Sequence, residues 1–265
     1  MLFEQCYYNN DFNNLTHKLF LLTTNFFNKF MSKAIVFDLD GTLVDSAPDL
    51  MDAHNYVMKK FGYHQKPLTD IRHLAGRGAA NMILSSLKEE DKKFDQNIHK
   101  KMTDEFINYY RENISKKSQI IKGVNDFLIW GKSKKINFAI CTNKMESLAK
   151  KLLKEINLIK FFDYIAGVDT FEYRKPDPRH LTNILEILDV KKEDSIMIGD
   201  SETDAETAKA AKVKFILVKG GYTEKNPNNI YHNHFINDFT EMNGILSKIK
   251  FLNSKNFSRS TLTVS

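Results

Sequence analysis

Only two cysteines occur in the 265 residues, Cys6 and Cys141, and they are not placed as a disulfide framework or a zinc site. A reducing compartment, the cytoplasm, is therefore expected. Long apolar runs are missing as well. The longest, such as Leu19 to Leu22, extend over a few residues and are too short for a transmembrane helix. No basic cluster precedes that run, and Glu4 and Asp11 sit where a secretory signal avoids acids. Nor is positive charge gathered in one place. The net charge is +6, but the lysines are scattered in pairs such as Lys59-Lys60, Lys100-Lys101, Lys134-Lys135 and Lys150-Lys151. A nucleic-acid-binding surface would concentrate them on one element and interleave aromatics. Spread out, they make a solvated surface that weakly steers small anions. Neither nucleic acid nor membrane is an expected partner.

What is present is enough apolar residue, 42% of the chain, to bury a core. The length suits one large domain, or a domain carrying a smaller inserted one. Residues 1–30 are rich in Phe and Asn and hold no core-forming period. They are expected to form a poorly ordered, dispensable extension, with Met31 as an alternative start directly before the first strand. Ala34 to Phe37 reads as a buried strand running into acid and glycine. The stretch that follows is helical throughout. Leu50, Met51, Val57, Met58 and Phe61 share one face, Met82, Ile83 and Leu87 another, and Ile98, Met102, Phe106 and Tyr109 a third.

After Gly123 the pattern alternates. Strands are expected at 138–141, 164–167, 195–199, 215–218 and 235–236, and helices at 147–156, 181–188, 203–212 and around Met242, Ile245 and Ile249. Alternation of this kind implies an α/β fold with a doubly wound, parallel, Rossmann-like sheet. The expected core is 31–46 with 119–252, the helical insertion is 47–118, and 253–265 forms a polar tail.

In such sheets the ligand lies beyond the carboxyl ends of the strands, where polar residues of complementary types occur here. Asp38-Leu39-Asp40-Gly41-Thr42 places two carboxylates at i and i+2, and a turn at Gly41 lets both face one site. One can attack as a nucleophile while the other handles protons. Thr142 and Asn143 close another strand, Lys175 lies in Arg174-Lys175-Pro176-Asp177-Pro178, and Asp200 and Asp204 follow the strand 195–199. The histidines, including His54, His73 and His180, lack metal-ligand spacing and read as structural or surface residues. Cys141 and Trp130 read as packing.

Val36-Phe37-Asp38-Leu39-Asp40-Gly41-Thr42-Leu43-Val44-Asp45-Ser46 resembles the first motif of the haloacid-dehalogenase-like hydrolase superfamily. Thr142, Lys175 and Gly199-Asp200-Ser201-Glu202-Thr203-Asp204 resemble the second, third and fourth, in order, over roughly residues 33–225. The resemblance implies a small α-helical cap for the insertion. It also implies Asp38 as the nucleophile that becomes an aspartyl-phosphate, and Asp40 as the acid and base. Thr142, Asn143, Gly41 and Lys175 would then bind the phosphoryl group. Mg2+ would be held by Asp38, Asp200, Asp204 and the backbone carbonyl of Asp40, with Asp204 acting through water or by orienting Lys175. Lys212 stands where members often have a C-capping glycine, a matter of local stability.

Among capped members the chain resembles the phosphoglycolate phosphatases, in Thr142-Asn143-Lys144, Gly76-Arg77-Gly78-Ala79 and Gly220-Gly221-Tyr222. A small anionic phosphomonoester is the implied partner, 2-phosphoglycolate first, with Arg77 as the group that reaches its carboxylate. A different phosphomonoester or pyrophosphate, a sugar phosphomutase and an inactive binding protein remain open alternatives, as does a monomer or a homodimer.

Overall fold

The computed structural model describes residues 32–252, apart from 68, 70, 71, 91 and 92. The expectations for 1–30 and 253–265 lie outside the described residues. Six parallel strands form one sheet: β1 (Ala34–Phe37), β4 (Asn137–Cys141), β5 (Tyr164–Ala166), β6 (Ser195–Gly199), β7 (Lys214–Val218) and β8 (His234–Ile236). Their order is β5-β4-β1-β6-β7-β8, with β1 paired to β4 on one side and β6 on the other. β2 (Val44–Asp45) and β3 (Gln119–Ile120) make a separate antiparallel pair that the sequence reading did not anticipate.

The strands read as continuous apolar runs because both sheet faces are covered. Ile35, Phe37, Phe138, Ile140, Ile196 and Ile198 point to one face, where α4 (Val124–Ser133), α5 (Glu146–Glu155) and α8 (Met242–Lys248) supply Phe127, Leu152 and Met242. Ala34, Val36, Ala139, Cys141 and Met197 point to the other, against α6 (Pro178–Ile187) and α7 (Glu202–Ala211). The period-2 alternation of side chains divides the strand residues between two cores. The parallel, doubly wound α/β sheet expected from the alternating pattern is the one observed.

Between β2 and β3 in sequence lie α1 (Ala47–Lys60), α2 (Ala79–Lys88) and α3 (Gln96–Glu112), which pack on one another. Pro48 in the first turn and Asp49 beside it suit the amino end of α1, and Lys59 and Lys60 suit its carboxyl end. Asp49 is buried, and its carboxylate accepts the amides of Lys117 and Ser118, tying the exit of this helical block to its entrance. At the end of α7, Lys212 adopts φ +59°, the left-handed region a glycine occupies without cost. Among the described residues no helix is long and apolar enough to cross a membrane.

Candidate active site

β1 lies where the strand order reverses, and the carboxyl ends of β1, β4 and β6 open there onto a cavity of about 730 Å³. Asp38 leaves β1 with its amide donated to the Ile198 carbonyl at 2.9 Å, so the sheet ladder itself sets its position. Its Oδ1 lies 2.8 Å from Lys175 Nζ. Burial pushes the Asp38 carboxyl up to about 6, against the opposing pull of Lys175 and with a further push from Asp204.

Asp200 follows β6. Its Oδ1 accepts from the Thr42 hydroxyl at 2.8 Å and its Oδ2 from the Tyr222 amide at 2.9 Å. Burial, then Asp204 and Asp38, hold its carboxyl well above the usual range. Asp204 opens α7 in a capping box with Ser201, in which its Oδ2 accepts the Ser201 amide at 3.1 Å. Its Oδ1 accepts from Lys175 Nζ at 2.6 Å. Burial alone would depress the Lys175 ammonium, but Asp204 and Asp38 hold it above the ordinary lysine range.

Asp38, Asp200 and Asp204 each bring a carboxylate oxygen within 4.8 Å of the others. The set contains only hard oxygen donors and carries more negative charge than one lysine offsets, which is the chemistry that suits Mg2+. The Asp40 carboxylate stands apart from this trio. It accepts from Lys144 Nζ at 2.8 and 2.9 Å, and from the Ser46 hydroxyl.

The glycines make room for this crowding. Gly41 turns at φ +86°, and a Cβ there would fall 2.7 Å from Asp200 Oδ2; at Gly221 it would fall 2.0 Å away. The Gly41 amide, however, is donated to the Val44 carbonyl at 2.8 Å. Gly41 therefore shapes the turn, and its amide is committed to the backbone. Thr142 is 2% exposed at the cavity wall, and Asn143 Nδ2 donates to the Lys175 carbonyl at 3.1 Å. The expectation for the Arg77 side chain lies outside the described residues. The flanking Gly76 and Gly78 line the cavity.

Cys141 is buried within β4 and its thiol is pushed up to about 12 by that burial, which leaves it inert as a nucleophile. Trp130 stacks on Phe127. His54 is buried against the Ser86 hydroxyl at 2.8 Å, His180 is buried beside Phe171, and His73 faces Glu224 at 3.6 Å.

Two residues were present in the sequence reading only as marks of resemblance. Lys144 pairs with Asp40, and Tyr222 joins Asp200 to the start of α1. Lys144 lies in the bend that follows β4, its amide donating to the Thr142 hydroxyl at 3.2 Å, so its closeness in sequence to Thr142 was the one signal for it. Nothing local marks Tyr110 of α3, whose hydroxyl meets Lys144 Nζ at 2.9 Å.

The sequence pattern of the haloacid dehalogenase-like hydrolases matches residues 35–218. A phosphoglycolate phosphatase of Mesorhizobium japonicum is 37% identical over 191 residues, 72% of this chain and 84% of that protein. A phosphoglycolate phosphatase of Agrobacterium fabrum is 36% identical over 73% of this chain and 83% of its own length. In fold, the crystal structure of a predicted phosphoglycolate phosphatase from Haemophilus somnus matches 81% of this chain and 98% of its own with a TM-score of 0.77, at 24% identity. CbbY from Rhodobacter sphaeroides in complex with phosphate matches 80% of this chain and 96% of its own at a TM-score of 0.70 and 22% identity. The chain thus belongs to the haloacid dehalogenase-like hydrolase family, and within it to the phosphatases.

Proposed function

We propose that the chain is a Mg2+-dependent phosphomonoesterase working through an aspartyl-phosphate on Asp38, with 2-phosphoglycolate as substrate and glycolate and phosphate as products. The observation that carries the mechanism is the pairing of Asp38 with Lys175 at 2.8 Å beside two further buried carboxylates, with Asp40 held separately two residues on. Asp38, Asp200 and the Asp40 carbonyl would hold the ion, with Asp204 acting mainly on Lys175. When bound, Mg2+ supplies the positive charge that lets a carboxylate approach a phosphate dianion.

The residues then divide the work. An Asp38 oxygen bonds to phosphorus as the ester P–O bond breaks, and the proton of the Asp40 carboxyl goes to the leaving oxygen. A water next attacks phosphorus, giving its proton to Asp40, and the Asp38–phosphorus bond breaks to release phosphate. Lys175 offsets charge on the nucleophile and on the transferring group. The Thr142 hydroxyl and the Asn143 amide hold phosphoryl oxygens. The helices α1–α3 act as the cap, since Leu50, Asn81, Thr103, Phe106 and Tyr110 from them line the same cavity as Asp38. A cap of this kind excludes water and suits a small substrate.

The choice of 2-phosphoglycolate is supported by the two phosphatases with about a third of their residues in common with this chain. The test is phosphate release from 2-phosphoglycolate, sugar phosphates, nucleotides and pyrophosphate, with Mg2+ and with chelator, using Asp38→Asn as the blank. A dominant, Mg2+-dependent rate on 2-phosphoglycolate supports the full reading. Preference for another compound keeps the mechanism and removes the substrate. Release equal to the blank on every compound removes both.

A further inference from the structure

Asp40 is gripped on one side by a contact that begins in the helical block. Lys144 Nζ donates to both of its carboxylate oxygens, at 2.8 and 2.9 Å, and to the Tyr110 hydroxyl at 2.9 Å. An ammonium has three protons, and these three partners account for all of them. The ammonium also lies 4.6 Å from the centre of the Tyr110 ring, within reach of its negative face. The Lys144 and Asp40 side chains are 6% and 10% exposed, and Tyr110 is 1% exposed. Burial raises the Tyr110 phenol well above its ordinary range, so it stays neutral and presents a lone pair to the lysine. With Tyr110 in place the ammonium has one orientation, and the carboxylate that faces it has one too.

We propose that Lys144 and Tyr110 are positioning residues for Asp40 in the second half of the reaction. The ammonium holds both carboxylate oxygens and so aims the group, and the phenol from α3 fixes the ammonium. So aimed, the carboxylate takes the proton from water as the water oxygen bonds to phosphorus and the Asp38–phosphorus bond breaks. Loss of either residue slows this step more than formation of the aspartyl-phosphate. The inference rests on the assignment of Asp40 as the proton-handling residue.

The experiment is stopped-flow hydrolysis of 4-nitrophenyl phosphate with Mg2+, whose leaving group departs without needing an acid. Tyr110→Phe keeps the ring and its packing while removing the hydroxyl; Lys144→Met removes the charge. The steady-state rate is expected to fall about 10-fold in Tyr110→Phe and about 100-fold in Lys144→Met, up to the low end of the roughly 10²–10⁴-fold a general base contributes. The first turnover should slow far less, so that a burst of 4-nitrophenolate approaching one per enzyme appears. Parallel loss of the first turnover and the steady state in Tyr110→Phe, or no loss in either phase, overturns the proposal. Asp40→Asn separates the levels. If it stalls after a burst while the other two variants do not, only the positioning role fails. If it shows no burst and stall, the assignment of Asp40 fails and the positioning role with it.

Discussion

Lys175 and Asp204 form an ion pair 2.6 Å long, with side chains 2% and 0% exposed, and the same ammonium lies 2.8 Å from Asp38. Asp204 is thereby committed on both oxygens, one to the lysine and one to the cap of α7. An acid so engaged is poorly placed to be a principal metal ligand, whereas Asp200 uses each oxygen for a single hydrogen bond and retains lone pairs.

Asp204→Asn should therefore lower kcat by misplacing Lys175, while the Mg2+ concentration giving half activity moves less than in Asp200→Asn. Activity against Mg2+ concentration for the two variants checks this. Equal shifts in the Mg2+ midpoint would count against the division. In the wild type, Mg2+ at a hundred times its Kd should add about 2.7 kcal/mol to stability. Calorimetry should find most of that increment missing in Asp200→Asn.

Two adjacent glycines make a paired test. Gly221→Ala would push a methyl into Asp200, and activity should fall at least about 100-fold, the scale of a displaced catalytic group. Gly220 has φ +86° but open space around it, so Gly220→Ala should cost about 1 kcal/mol of stability and leave the rate nearly intact. Assays and melting curves on both variants decide it.

Tyr222 links two parts of the site. Its amide bonds Asp200, and its hydroxyl accepts the Ser46 and Ala47 amides at 2.9 Å each. Tyr222→Phe leaves those buried amides without their acceptor and should destabilise the protein by about 1–3 kcal/mol. Urea unfolding measures this directly, and an unchanged midpoint would show that water replaces the phenol.

His180 sets an acid limit on stability. Burial, and then the charge of Lys175, lower its pKa to about 4 from an ordinary 6.5. The unfolded chain binds the proton first, so stability is complete above pH 6.5 and falls as pH drops toward 4. The loss attributable to this residue at pH 4 is on the order of 2–3 kcal/mol. His180→Leu should flatten that part of the stability–pH curve; an identical slope would place the acid sensitivity elsewhere.

How much of this was legible beforehand differs from residue to residue. Asp38 and Asp200 each follow a run of β-formers, Ala34 to Phe37 and Ser195 to Gly199, so strand ends and acids were readable together. No helical period marks α4, because Phe127-Leu128-Ile129-Trp130 is a continuous apolar run. The β2–β3 pair has no local signature, because each strand has two residues and the partners are far apart in the chain. The commitment of the Gly41 amide to Val44 depends on a turn whose closure no local pattern announces.

By itself the sequence determined the parallel α/β sheet, because apolar runs of four or five residues separated by helical periods can be buried on both faces only in that way. It determined which acids and which lysine gather at the strand ends, because their places in the chain follow from the strands. The tertiary structure alone decided what those groups face. Lys144 meets Asp40 across β4 and β1, Tyr110 arrives from α3, and Tyr222 returns from beyond β7 to Asp200. Contacts between residues this far apart in the chain are set by how helices and strands pack, and packing depends on the shape of the whole core rather than on any one segment.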